Sequence, residues 1–383
     1  MLSTGYAADD QAAIRSDLGA IFVSLELSRA SWLATSLSPG GEKLSRHTVA
    51  AGDAGALLGL FAALQAKAKD RSGRRYRVIT IQEAGLDGFW LHRVLEAEGI
   101  ESHVVDAASI AAPRRRRRAK SDRIDGESLL RVLLAHQRGE PRVCSMVRPP
   151  APETEDRRRV IRERRVLVGQ RTEAANRIRG LLFAQGVFDY APTRGDRRRR
   201  LEELVTGDGR ALPPHLKAQI GRELDRLELV MAQLKAVEAE RDALLSPPDR
   251  PASRLTQLVG VGPETAGVLL GEAFHRRFDN RRQLAAYAGL AATPWKSGGI
   301  DQEQGISGSG NPRLRTAMIQ LAWLWLKHQP QSELSLWFHA RTREQSGRFR
   351  KVGIVALARK LLIALWRFEL TGEVPAGARL KPA

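Results

Sequence analysis

The chain has 383 residues, of which 62 are Lys or Arg and 43 are Asp or Glu, so its formal net charge is +19. That length allows two or three domains, and the basic excess predicts a polyanionic partner, either nucleic acid or an anionic membrane surface. The single Cys144 excludes an internal disulfide, and the singly scattered histidines argue against a zinc site. No apolar run approaches the roughly 20 residues of a membrane span, and the first residues lack a signal-peptide pattern. We therefore expect a cytoplasmic protein that binds nucleic acid and no membrane.

Residues 1–150 alternate between strand and helix patterns. Apolar and β-branched residues predict a strand over about 18–27, a second through "SWLATSL" and a third in "EKLSRHTVA". Residues 54–68 show helical spacing; then come strand "YRVITIQ", helix "GFWLHRVLEAEG", strand "SHVVD" and a helix over about 125–137. This alternation predicts a mixed α/β domain in which at least part of the sheet is buried.

Residues 151–250 have a different pattern, beginning with the proline-marked linker "VRPPAPETED". Apolar residues recur at three-, four- and seven-residue steps over about 160–186 and 216–245, between many Arg and Glu residues. Two long amphipathic helices of this kind form an antiparallel hairpin or an intermolecular coiled coil. A plain helical bundle within one chain is the alternative. We predict a helical coiled-coil and oligomerisation region here.

Residues 251–383 are predicted to be mainly helical, and they begin with a glycine turn in "LVGVGPETAG". This stretch resembles the helix–hairpin–helix of many DNA-binding proteins. Gly260 and Gly262 would permit a tight turn, and the helix that starts near Pro263 would offer backbone N–H groups to a phosphate. An ordinary turn between two helices is the alternative.

A second motif in this region is "GISGSGNPRLR". Asn311 is a good N-cap, and Pro312 suits the first helical position. Ser307 and Ser309 therefore precede a helix whose first turn carries two arginines. The residue types alone favour a soluble Gly/Ser loop, because a serine hydroxyl needs an activating base or cation and no histidine lies nearby in the sequence.

Four carboxylates in residues 1–150 are candidates for metal-assisted phosphodiester chemistry, which needs acids from several segments to converge on hard cations. Glu26 ends the first strand, Glu83 follows "VITIQ", and Asp122 and Asp125 lie three residues apart, on one face if helical. The alternative is that the glutamates are loop residues and one aspartate is a helix cap. A basic run precedes the aspartates and predicts phosphate contacts. It comprises Arg114, Arg115, Arg116, Arg117, Arg118 and Lys120.

The ordered stretches "LELSRASWLA", "IQEAGLDGFWLHRVLEAEGI", "VVDAASI" and "AKSDRIDGESLL" resemble the DEDD transposases of the IS110 family of bacterial insertion sequences. The resemblance implies a RuvC-like, RNase H-type domain whose acidic residues correspond to Glu26, Glu83, Asp122 and Asp125. It implies Mg²⁺, as two ions, or Mn²⁺. Glu26 departs from the commoner aspartate of the family by one methylene.

The family's C-terminal "I-S-(two residues)-G-N-P-R-L-R" pattern matches Ser307, with Ser309 in a variable slot. The resemblance, which runs from about residue 18 to 370, implies that Ser307 is a nucleophile joined covalently to DNA and that Arg313 and Arg315 bind the phosphate. It further implies a homotetramer built from dimers and guided by a structured RNA. The alternatives are a RuvC-like endonuclease of the Holliday-junction resolvase type without serine catalysis, and a non-catalytic nucleic-acid-binding protein.

Overall fold

The computed structural model describes residues 19–39, 43–85, 89–110, 122–141, 143–246, 253–297, 300–306, 309–343 and 347–382, without the side chains of 108, 122–124 and 293–304. The chain forms two compact units, Met1–Pro149 and Pro150–Ala383. The predicted boundary at residue 250 falls inside the second unit and stays a prediction. No described helix is both long and apolar enough to cross a membrane.

The first unit is built on a five-stranded mixed sheet of order β3-β2-β1-β4-β5. Its strands are β1 Ala20–Leu27, β2 Ser31–Leu37, β3 Ser45–Ala50, β4 Arg77–Glu83 and β5 Glu101–Val105. Its helices are α1 Ala54–Ser72, α2 Trp90–Ala97 and α3 Asp122–Gln137. β1 is antiparallel to β2 but parallel to β4, which is parallel to β5. The predicted mixed α/β sheet is therefore confirmed.

Helices cover both faces of this sheet, which explains the nearly continuous apolar sequence of its central strands. Val23 and Leu25 of β1 pack in the core formed with α1 and α2. Phe22 of β1, with Ile79 and Ile81 of β4, packs instead in the core formed with α3. Side chains alternate between the two faces of a strand, so the residues that follow in β1 and β4 can be assigned to a face.

The first turn of α3 lies directly on the sheet at Gly126. The hydroxyl of Ser24 donates a buried hydrogen bond of 2.7 Å to the carbonyl oxygen of Gly126. A Cβ atom at Gly126 would lie 2.8 Å from Oγ1 of Thr35, the residue paired with Ser24 across β1 and β2. Only glycine permits this approach, so it fixes the start of α3 over the middle of the sheet.

Gly126→Ala is expected to lower the free energy of unfolding by about 1–3 kcal/mol, because the added methyl group forces α3 away from a close-packed sheet. Gly169→Ala is the matched control: a methyl group added at this helical glycine would meet no atom within 4 Å, and we expect a gain of roughly 0.5–1 kcal/mol there. Denaturant unfolding measures both. Equal stability of the Gly126 variant and the wild type would contradict the close approach.

The second unit opens with an antiparallel pair of long helices. Its first helices are α4 Pro152–Phe183, α5 Arg197–Glu203 and α6 Pro214–Leu245. Arg164 pairs with Glu238 at 2.7 Å, and Arg177 pairs with Glu223 at 3.2 Å, so the start of α4 lies beside the end of α6. The two predicted helices thus pack against each other within one chain. A coiled-coil contact between copies stays a prediction.

The remainder of the second unit is helical apart from one hairpin. Its helices are α7 Pro263–Leu269, α8 Arg281–Tyr287, α9 Pro312–His328, α10 Glu333–Thr342 and α11 Gly347–Thr371. A π-helical turn, Leu270–Phe274, continues α7. The hairpin consists of the antiparallel strands β6 Ala292–Ser297 and β7 Ile300–Ile306. The hairpin departs from the mainly helical prediction for residues 251–383, because glycines and polar residues leave its strands without an apolar alternation.

Candidate functional site

Two of the predicted acidic residues lie at neighbouring strand ends. Leu25 of β1 is aligned with Gln82 of the parallel strand β4, so Glu26 and Glu83 follow side by side. Alternation along both strands directs them to the face that carries α3. Glu26 is half-buried with its Oε1 shielded from solvent, whereas Glu83 is exposed. The structure therefore brings these two carboxylates to one edge and one face of the sheet.

The predicted aspartates belong to the first turn of α3, which starts at Asp122 and not at residue 125. Asp125 is half-buried and directly precedes Gly126, whose carbonyl is bonded to Ser24, two residues before Glu26 on β1. The side chain of Asp122 lies outside the described residues. Among described residues, no group of three or more His, Cys, Asp or Glu side chains is arranged to hold a metal ion, so the four-carboxylate site stays a prediction.

Several predicted site residues lie outside the described parts of the chain. They are Arg114, Arg115, Arg116, Arg117, Arg118, Lys120 and Ser307. The loop that follows Ser307 is described from Ser309 onward.

The described part of that loop is held tightly against the end of α8. Gly310 has a φ of +88°, and a Cβ atom there would lie 2.6 Å from the backbone nitrogen of Gly289. The backbone N–H of Asn311 donates to the carbonyl oxygen of Tyr287 at 2.7 Å. Nη1 of Arg315 donates to the carbonyl oxygen of Ser309 at 3.1 Å. These bonds define the approach of the chain to α9.

The predicted start of α9 is confirmed. Oδ1 of Asn311 accepts from the backbone N–H groups of Arg313 and Leu314 at 3.0 and 3.2 Å, and Pro312 occupies the first helical position. Two N–H groups that lack intrahelical partners are thereby satisfied. Arg313 is exposed, as a phosphate-binding residue requires.

The predicted glycine turn differs from a helix–hairpin–helix in its first arm, which is the four-residue 3₁₀ helix Arg254–Gln257. Gly260 has the positive φ, +85°, and a Cβ atom there would lie 2.9 Å from Cβ of His328. Gly262 is extended and caps α7. Close packing against α9 explains Gly260, so the DNA-binding role of this turn stays a prediction.

Glu272, which was not predicted as a site residue, lies in the π-helical turn and is 1% exposed. Arg162 donates to it through Nε at 2.9 Å and Nη2 at 3.2 Å, and Nη2 of Arg158 lies at 3.4 Å. Nδ2 of Asn311 donates to its Oε2 at 3.0 Å. Burial raises the pKa of Glu272, but the hydrogen bonds from Arg162 and Asn311 and the arginine charges outweigh it, and the pKa is lowered. Glu272 is thus a buried carboxylate beside the loop.

Beside this network, His275 lines a cavity of about 370 Å³ between α4, α6 and α7. Burial and the positive charges of Arg158 and Arg276 lower the pKa of His275 to about 4. The unfolded state, with a pKa near 6.5, therefore binds more protons between these values, and stability falls as the pH is lowered through that window.

His275→Gln is expected to remove up to about 3 kcal/mol of this acid destabilisation, at roughly 1.36 kcal/mol per pKa unit. Melting temperatures measured from pH 7.5 to 4 should therefore fall less steeply in the variant than in the wild type. The exposed His215 provides the control substitution, and His215→Gln should keep the wild-type slope. Parallel curves for wild type and His275→Gln would refute a half-buried His275 whose pKa is lowered in the folded state.

The first unit combines a mixed sheet with carboxylates at the ends of adjacent parallel strands, which is consistent with the RNase H-like class of nucleic-acid-processing domains. Residues 29–185 match the model for IS110 DEDD transposases, described as "Transposase". Residues 252–335 match the "Transposase IS116/IS110/IS902 family". The relative y4rJ of Sinorhizobium fredii, whose transposase name is provisional, is 61% identical over 100% of both chains. The chain belongs to the IS110 family of DEDD transposases.

Two relatives are named for insertion sequence elements. The transposase for insertion sequence element IS1328 of Yersinia enterocolitica is 28% identical over 58% of this chain and 66% of its own length. The transposase for insertion sequence element IS1111A of Coxiella burnetii is 30% identical over 64% of this chain and 66% of its own. The predicted family and its transposase function are therefore confirmed.

Proposed function

We propose that this transposase cleaves and exchanges DNA strands in the cytoplasm, at the nucleoid, through a carboxylate-bound metal site and a serine nucleophile. The observation that carries the metal half is the side-by-side position of Glu26 and Glu83 on the sheet face that the first turn of α3 covers. The family membership of both units supports the combination of two sites in one reaction.

The carboxylates Glu26, Glu83, Asp122 and Asp125 would hold Mg²⁺ or Mn²⁺. Their oxygens are the hard ligands that these cations prefer. Oε1 of Glu26 is shielded from solvent, and a bound cation would offset the cost of burying the charge of this carboxylate. When bound, the ions supply charge stabilisation at the attacked phosphate and at its leaving oxygen. Asp122 and Asp125, three residues apart in the sequence of α3, would complete the set.

Ser307 would supply the nucleophile. Its Oγ attacks the phosphorus and gives up its proton, a P–Oγ bond forms, the bond from phosphorus to one sugar oxygen breaks, and that oxygen takes up a proton, so that no net proton is gained or lost. Attack by the sugar hydroxyl of a second strand then reverses these bonds and releases Ser307. The exposed Arg313, in the first turn of α9, and Arg315 would hold the phosphate during both steps.

The proposed assembly is a homotetramer built from two dimers, joined through α4 and α6 and guided by a structured RNA encoded with the element. The net charge of +19 fits a protein that holds two nucleic acids. A solution mass for the chain alone and with RNA tests the assembly directly. A monomer under both conditions would contradict it.

The proposed reaction is tested with purified chain, Mg²⁺, a labelled DNA that carries one end of the element, and RNA transcribed from the sequence beside the gene. A covalent protein–DNA adduct on a denaturing gel supports it. Mg²⁺-dependent nicking without an adduct indicates the resolvase-type endonuclease. Binding with neither product indicates a non-catalytic nucleic-acid-binding protein.

Replacing Arg114–Arg118 by glutamine is expected to weaken DNA binding and flatten its salt dependence, since each lost phosphate contact lowers the slope of log K against log salt by about 0.9. Filter binding between 50 and 200 mM salt measures the slope. An unchanged slope would mean that the arginine run is only solvated.

A further inference from the structure

The side chain of Asn311 makes two separate sets of contacts, one through its oxygen and one through its nitrogen. Its Oδ1 caps α9 through Arg313 and Leu314. Its Nδ2 points the other way, toward Oε2 of Glu272 at 3.0 Å and the hydroxyl of Tyr287 at 3.2 Å. Capping needs only the oxygen, since serine or aspartate caps a helix as well. The amide contact therefore calls for an explanation of its own.

Glu272 is the point at which four segments of the second unit meet. Its side chain accepts from Arg158 and Arg162 of α4 and from Asn311 before α9. Its backbone carbonyl accepts from the Tyr287 hydroxyl of α8 at 2.8 Å. Arg162 lies 110 residues before Glu272 in the chain, and Asn311 lies 39 residues after it. One buried carboxylate thus links the long helical pair to the start of α9.

The surroundings of Glu272 make the link rigid. The carboxylate is 1% exposed, and removal of one partner from a buried charged group costs more than the same loss at a surface. Gly310 packs against the backbone of Gly289 with no room for a Cβ atom, and this contact holds the chain before Asn311 against the end of α8. The carboxylate lies in a π-helical turn, a local widening of a helix that occurs often at functional sites.

We propose that Glu272 is a positioning residue that, through the amide of Asn311, fixes the first turn of α9 and the phosphate-binding arginines on it. This inference rests on the proposed function, in which that turn contacts DNA. Glu272 itself touches no substrate. It sets the direction of the helix start, whereas the Asn311 oxygen only satisfies the N–H groups there.

The variant that separates the two functions is Asn311→Ser, which keeps a capping oxygen and removes the amide. Asn280→Ser is the matched control, because Asn280 caps α8 through Arg282 and Gln283 in the same way but has no bond to Glu272 among the described contacts. Hydrogen–deuterium exchange of the folded full-length chain is the first readout. We expect exchange in 309–316 to rise by about tenfold in Asn311→Ser, the effect of one lost hydrogen bond to a charged group, and not in Asn280→Ser.

The second test exchanges the amide at position 311 and the carboxylate at position 272. Asn311→Asp keeps the cap but places a second carboxylate against Glu272, so exchange should rise and the rate of adduct formation should fall by about tenfold or more. Adding Glu272→Gln then places an amide donor at position 272 opposite the new carboxylate at position 311. The total charge of the pair is the same as in the wild type. Recovery of both readouts to within about threefold is expected, because a general loss of stability would not be repaired by this second substitution.

Unchanged exchange of 309–316 in Asn311→Ser overturns the proposal, and so does a failure to recover in the exchanged pair. If the wild-type chain forms no adduct, the proposed function fails, and the exchange measurements still decide whether Glu272 positions α9. If the wild-type chain forms the adduct and Asn311→Ser forms it at the same rate with raised exchange, positioning by Glu272 is unnecessary and the inference is wrong.

Discussion

Glu83→Gln is expected to reduce Mg²⁺-dependent cleavage by at least about 100-fold, the equivalent of roughly 2.7 kcal/mol of transition-state stabilisation. The substitution keeps the size of the side chain and removes the charge at the exposed end of β4, where the proposed site needs a carboxylate. Cleavage rates over a range of Mg²⁺ and Mn²⁺ concentrations measure the effect. Binding of uncleaved DNA should stay within about threefold, since the arginines that are proposed to contact phosphate are unchanged.

The matched control is Glu98→Gln. Glu98 is an exposed glutamate at the end of α2 in the same unit, and its replacement should leave cleavage unchanged. Wild-type cleavage by Glu83→Gln, with normal folding by circular dichroism, would remove Glu83 from the site.

Glu26 allows a finer test of the same site, because the resembling family commonly has aspartate there. Glu26→Asp keeps a carboxylate, one methylene shorter, and should retain cleavage, whereas Glu26→Gln should lose it as Glu83→Gln does. If glutamine and aspartate behave alike, the carboxylate of Glu26 takes no part.

The sheet could be predicted from the sequence because its strands are buried on both faces and read as apolar, β-branched runs. The residue patterns do not show that β1 pairs with β4. This pairing aligns Leu25 with Gln82. That alignment is the physical reason why Glu26 and Glu83 meet, although 57 positions separate them (83 − 26). Carboxylates at strand ends can be expected from sequence, but the identity of the neighbouring strand comes only from the fold.

The start of α3 was predicted three residues late, at residue 125 instead of Asp122, and Gly126 lies directly after that predicted start. A glycine in the first turn lowers helix propensity, yet here it allows the helix to approach Ser24 and Thr35. Tertiary packing thus outweighs local propensity, and Asp122 joins Asp125 in the same helical turn.

Glu272 was not predicted because its sequence neighbours are apolar. It stands in the apolar stretch "GVLLGEAF", where a lone carboxylate gives no periodic signal. Its burial is tolerated because Arg158 and Arg162, far away in the sequence, pack against it. A glutamate inside an apolar helix, together with arginines on a distant amphipathic helix, is the only sequence signal that could have indicated this network.

Ser307→Ala is expected to abolish the covalent protein–DNA adduct, a loss of at least about 1,000-fold, because alanine has no oxygen to attack phosphorus and no other residue in the mechanism replaces it. The adduct is measured on denaturing gels after quenching at several times. DNA binding should stay within about twofold, since the proposed phosphate contacts of Arg313 and Arg315 do not involve the hydroxyl.

Ser309→Ala is the matched control. Ser309 stands two positions after Ser307 on the same loop, and its bond to Arg315 uses the backbone carbonyl, which alanine keeps. This variant should form the adduct at nearly the wild-type rate. An adduct in Ser307→Ala that disappears in Ser309→Ala would move the nucleophile to Ser309, and an adduct in both would place it elsewhere. Loss of the adduct in Ser307→Ala alone, with DNA binding intact, assigns the covalent step to Ser307, because Ser309→Ala keeps every group that the proposed mechanism uses.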